Sequence, residues 1–75
     1  MTIPGWRLDW IGERLVARGA KARDLARLPR RDLRKLHTAY TVALFGRKRR
    51  LKGAIRRAGT YGQLAADMGK EHRKL

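Results

Sequence analysis

Residues 29–58 read PRRDLRKLHTAYTVALFGRKRRLKGAIRRA, and the way this stretch folds decides the architecture of the chain. Apolar side chains recur through it at helical spacing: Leu33, Leu36, Tyr40, Ala43, Leu44, Leu51, Ala54, Ile55 and Ala58. The strict alternation and β-branched runs that mark strands are absent. Pro29 suits the first position of a helix, where its missing N–H costs almost nothing. Asp32 follows in the first turn, where the macrodipole favours a carboxylate. The pattern stops at Gly59, so the stretch predicts one helix of up to 30 residues, which at about 1.5 Å per residue would be about 45 Å long. Gly46 and Gly53 weaken it, each by up to about 1 kcal/mol relative to alanine, and a bend or break is expected, if anywhere, near Gly46.

Working outward, Trp6, Trp10, Ile11 and Leu15 form one helical stripe that ends at Gly19, with Thr2 as N-cap and Pro4 in the first turn. A short helix over residues 21–27 places Ala22, Leu25 and Ala26 inward, with Leu28 beside them. Beyond Gly59, Thr60 and Gln63 have the spacing of a capping box and open a last helix that carries Leu64, Ala65 and Met68. The expectation is an all-α fold: a small bundle of three to four helices around one long central helix (about 29–58), in a single domain over 1–75. A chain of 75 residues buries only roughly 60% of the surface it exposes when unfolded, and it has no cysteine to staple it.

Charge is concentrated in the same stretch. The chain carries 20 basic and 6 acidic side chains, a formal net charge of +14. Residues 29–58 hold eleven of the basic and one of the acidic groups, against six and three in residues 1–28 and three and two in residues 59–75. Placed at 100° per residue with Arg47 at zero, Ala54, Ala58, Leu51 and Ile55 fall between about −20° and +80°, the buried stripe. Lys48, Arg49, Arg50, Lys52, Arg56 and Arg57 spread over about 100° to 300°. Arg31, Arg34 and Lys35, with Arg30, begin the same helix and extend this surface into a stripe. Like charges at i, i+4, such as Lys48 with Lys52 and Lys52 with Arg56, each cost a few tenths of a kcal/mol, which argues that an anionic partner offsets them. Val42 and Phe45 interrupt the stripe: either another helix covers them or they centre a homodimer or partner interface.

Thr60 to Gly69, TYGQLAADMG, resembles the first half of a bacterial helix-turn-helix, in which a Leu-Ala pair packs inward and a glycine makes the turn. The resemblance covers about ten residues and implies a second, groove-reading helix, for which only residues 70–75 remain; the plain reading is a capped amphipathic helix. Arg47 to Arg50, RKRR, is similar to a nuclear localisation signal, a string that any basic helix also produces. Trp6 and Trp10, at i, i+4 on an apolar stripe, read as core rather than as stacking platforms.

Catalysis finds no support, because the acidic residues are scattered, serine and cysteine are lacking as nucleophiles, and His37 and His72 have no evident partners. His37 falls near the buried stripe and reads as a core-edge residue. No cofactor, metal or small-molecule substrate is implied. The leading expectation is a small basic protein that grips nucleic-acid phosphates, DNA favoured over RNA, through Arg31, Arg34, Lys35, Lys48, Arg49, Arg50, Lys52, Arg56 and Arg57, in a regulatory or architectural role. The alternative is a protein-interaction module that docks on an acidic protein surface through Val42 and Phe45. Attachment to a membrane surface is disfavoured because the apolar stripe is needed for the core. Residues 1–10 lack the pattern of a targeting signal, so a cytoplasmic location is expected.

Overall fold

The computed structural model describes residues 3–73, with side chains from Trp10 onward. The described residues are all-helical, without strands. α1 spans Ile3–Ala17, α2 Ala22–Arg27, α3 Arg30–Leu44, α4 Lys48–Ala58 and α5 Gly62–His72, and a 3₁₀ turn, Gly59–Tyr61, joins the last two. The N-cap reading of Thr2 and the packing of Trp6 lie outside the described residues.

Two helices end by the same local device. At the end of α1, Gly19 takes φ 109°. The Ala20 N–H donates to the Leu15 carbonyl and the Gly19 N–H to the Val16 carbonyl, each at 3.0 Å. This pair of bonds is a Schellman stop, which needs a left-handed residue and so favours glycine. The device repeats after α3. Gly46 has φ 71°, with Arg47 N–H donating to the Val42 carbonyl and Gly46 N–H to the Ala43 carbonyl, both at 3.1 Å.

The single helix expected over residues 29–58 is therefore two, and the break falls at Gly46. The reason is burial. The bundle measures 30 × 27 × 21 Å, so an unbroken rod of about 45 Å would carry Leu51, Ala54, Ile55 and Ala58 out into solvent. Folding back at Gly46 returns them to the bundle. The cleft that Thr38 and Val42 share with Arg49, Gly53 and Arg57, and the proximity of Ala58 to Asp32 and Leu36, place α4 antiparallel to α3.

α5 then runs beside α3. Gly69 sits against the Tyr40 carbonyl and the Ala43 methyl so closely that a Cβ there would overlap both. Ala39 and Ala43 on α3 and Ala65, Ala66 and Met68 on α5 are buried, and Ile11, Leu15, Ala20, Leu25, Leu36, Tyr40 and Ala54 join them in the core. Trp10 packs on it edge-on to Tyr40, with ring centroids 5.3 Å apart.

Several local expectations are corrected. Pro29 caps α3 from outside rather than occupying its first turn, and Asp32 lies in that turn as expected. Of the residues placed inward on α2, Leu25 is buried whereas Ala22 and Ala26 are exposed. The capping box does not form: Gly59 adopts φ 80° and starts the 3₁₀ turn, so Tyr61 precedes α5 and Gln63 donates instead to Asp67, at 2.9 Å. Gly69 makes no turn; it is a buried glycine inside α5, which continues to His72, so the helix-turn-helix resemblance loses its central feature.

Candidate nucleic-acid interface

The α3–α4 hairpin carries the basic surface. Arg31, Arg34 and Lys35, the sequence-predicted cations of α3, and Lys48, Arg49, Arg50, Lys52, Arg56 and Arg57, those of α4, are all exposed, and Arg49, Arg50 and Arg57 share one cleft. Ala54 is the one buried residue of α4, with Leu51, Ile55 and Ala58 half-buried beside it. The helix thus rests on α3 by a narrow apolar strip and presents most of its circumference to solvent. Arg47 immediately precedes the first turn of α4 and is exposed.

Carboxylates are few on these two helices: Asp32 on α3 and none on α4. Among the described residues, Glu71 pairs with Arg18 at 2.8 Å, and Asp32 reaches Lys35 at 3.9 Å. Asp24 accepts the Tyr61 hydroxyl at 2.8 Å and Asp67 accepts the Gln63 amide. The other eight of the nine cations have no carboxylate within ion-pair distance among the described residues. With so little counter-charge and ready access to solvent, these groups make the α3–α4 hairpin strongly positive.

The hairpin also makes a feature that a straight helix lacks. Between α3 and α4 lies a cleft of about 430 Å³, lined by Thr38 and Val42 on one wall and by Arg49, Arg50, Gly53, Ala54 and Arg57 on the other. Val42 is half-buried against the core beside α4, so α4 is the helix that covers this side. Phe45 remains 68% exposed, beside the Gly46 turn. The two residues read together as one patch therefore separate, Val42 into the wall of the cleft and Phe45 onto the surface.

Two polar links at the end of α5 gave no signal in the sequence. His72 Nδ1 lies 3.0 Å from the Tyr40 hydroxyl, and its Nε2 lies 3.5 Å from an Arg18 guanidinium nitrogen. Burial raises the Tyr40 pKa above the ordinary tyrosine value, against the opposing pull of Arg14 and Arg18. The hydrogen bond donated to Asp24 raises that of Tyr61, offset in part by the Lys21 N–H that the same oxygen accepts. His37 is half-buried and approaches the Thr41 hydroxyl, consistent with a core-edge position.

Among the described residues no three His, Asp or Glu side chains gather as metal ligands, and no helix is long and apolar enough to cross a membrane. Compared with protein-family models, curated proteins and solved structures, the chain matches none.

Proposed function

We propose that this chain binds nucleic acid through the phosphate backbone, with the α3–α4 hairpin as its contact surface. The observation that carries the reading is the set of nine cations on the two helices, of which one, Lys35, faces a carboxylate within 4.0 Å among the described residues. Solvated cations of one sign cost stability through mutual repulsion, and a phosphate backbone turns that cost into affinity by releasing condensed counterions. Phosphate contacts of this kind position a protein without reading sequence. The shape of the surface supports a role in coating or bending nucleic acid better than selection of a short site.

The test is a salt series. Binding of the 75-residue chain to duplex DNA, single-stranded DNA and RNA is measured between about 50 and 200 mM salt. Engagement of six or more phosphates lowers affinity by about 10³-fold or more over that range. Affinity that is flat with salt, or absent at the low end, overturns the proposal.

A second reading, docking on an acidic protein surface, is favoured by one observation: Phe45 is 68% exposed beside the basic helix. Such an aromatic is the kind of anchor that dominates protein interfaces. Phe45→Asp, tested against duplex DNA, separates the readings, because it abolishes an apolar anchor for a protein partner while changing the charge of a face that grips duplex phosphates by one unit.

A further inference from the structure

The nine cations are not equivalent. Lys48, Lys52 and Arg56 follow one another at i, i+4 along the solvent side of α4, a convex row. Arg49, Arg50 and Arg57 line the cleft against α3. Gly53 lies between them, and among the described residues the atoms within 4 Å of the space above it belong to the Arg57 guanidinium. An in-helix glycine costs up to about 1 kcal/mol relative to alanine; here it keeps the wall of the cleft open under an arginine head.

The facing wall has its own order. Thr38 and Val42 are four residues apart on α3 and both line the cleft. Phe45, three residues further, still has helical backbone angles, φ −88° and ψ 0°, so it continues the same line. The cleft therefore has Thr38 and Val42 on one wall and three arginines on the other, and Phe45, just outside this lining, is exposed toward the turn. Arg34, one helical turn before Thr38, stands in line at the opposite end.

We infer that this cleft takes an unpaired nucleic-acid strand, with a base stacked on Phe45 and the backbone held by Arg49, Arg50 and Arg57. The inference rests on the nucleic-acid reading above and narrows it. A duplex keeps its base faces stacked inside and offers Phe45 nothing to stack on, whereas every unpaired base presents a π-face. Aromatic platforms beside a cationic track are the chemistry by which single strands are held without sequence preference, and guanidinium planes add to the stacking. The convex row Lys48, Lys52 and Arg56 has no such platform and suits either form.

The test uses fluorescence anisotropy of the full chain with a labelled oligothymidylate and with a labelled duplex of the same length, at low and at physiological salt. Phe45→Ala removes a mostly exposed ring and no charge. It weakens oligothymidylate binding on the order of ten-fold, the scale of one base-stacking contact, and leaves both the duplex affinity and the salt slope within error. Gly53→Leu, at a position where an added Cβ meets only ordinary contacts, gives the same selective loss by filling the cleft. Thermal unfolding of both variants verifies that the fold persists. If Phe45→Ala lowers single-strand and duplex binding equally, or neither, the inference is overturned while the phosphate reading stands. If the unsubstituted chain binds neither probe at low salt, both fail together.

Discussion

α4 and α5 are both eleven residues long and both pack on α3, yet they are held in opposite ways. α5 buries Gly62, Ala65, Ala66, Met68 and Gly69, and its glycine at 69 lets its backbone approach that of α3. α4 buries Ala54 and carries six cations and no carboxylate. One helix is committed to packing, where small residues increase dispersion contact by closing the distance. The other is committed to the surface, where each like-charge neighbour weakens it. In a domain whose whole stability is of order 5–15 kcal/mol, this division means that the α1–α3–α5 side supports a helix that contributes little to the core itself.

The largest effect expected from breaking this division is at the glycines. Gly69→Ala forces a methyl into the Tyr40 carbonyl and the Ala43 side chain, neither of which yields without moving a helix. A loss of about 3 kcal/mol in urea unfolding is expected, the upper part of the range for overpacking. Gly53→Ala, on α4, meets only the flexible Arg57 head and is expected to stabilise by up to about 1 kcal/mol through helix propensity. Equal shifts at the two sites would mean that α4 is packed as tightly as α5.

Next in size is the link between Tyr40 and His72, which ties α5 to α3 at its far end. Tyr40→Phe removes one part-buried hydrogen bond and is expected to cost about 1 kcal/mol in the same assay. The neighbouring Arg18–Glu71 pair, with side chains 28% and 61% exposed, contributes less, because solvent screens it. A Tyr40→Phe variant as stable as the parent chain would show that small-residue packing alone fixes α5.

Charge reversal on α4 is the smaller and more informative change, because it moves two observables in opposite directions. Lys52→Glu replaces repulsion toward Lys48 and Arg56 with attraction, and a gain of a few tenths of a kcal/mol is expected. The proposed nucleic-acid binding is expected to weaken at once, with the slope of log K against log salt becoming shallower by about 1 for each phosphate that the variant no longer engages. If stability and binding both fall, the cations of α4 are structural and the contrast between the two helices is wrong.

How much of this was legible in the sequence depends on whether the deciding interaction is local. The stop at Gly19 and the opening of α3 at Pro29 are set by the backbone preferences of those residues, and both were readable. The break at Gly46 uses the same glycine device but was hidden by periodicity. Ala43 and Ala54, buried on either side of it, are eleven residues apart, which is close to three full helical turns. A continuous wheel therefore aligns them as if no turn intervened. The charge on residues 29–58 was plain from composition, but the cleft was not, since it exists only once α4 folds back. Gly69 looked like a turn because its reason for being glycine, the Tyr40 carbonyl, lies on another helix, 29 positions upstream. The partners of His72 were invisible for the same reason.

The smallest expected effect separates the two sides by pH. Tyr40 and Tyr61 both belong to the packed side, and both have pKa values raised above the ordinary tyrosine value of 10.0, by burial for Tyr40 and chiefly by the hydrogen bond to Asp24 for Tyr61. The folded state therefore holds these protons more tightly than the unfolded chain does. As pH rises through about 10 the unfolded state loses them first, and stability falls from there until the folded hydroxyls also ionise. The doubly substituted chain Tyr40→Phe, Tyr61→Phe lacks this contribution. Its stability, measured by urea unfolding at successive pH values, should decline less than that of the parent chain above pH 10.0. Tyrosinate absorbance of the parent should show both hydroxyls titrating late, and parallel pH profiles for the two chains would remove the tyrosines from the account.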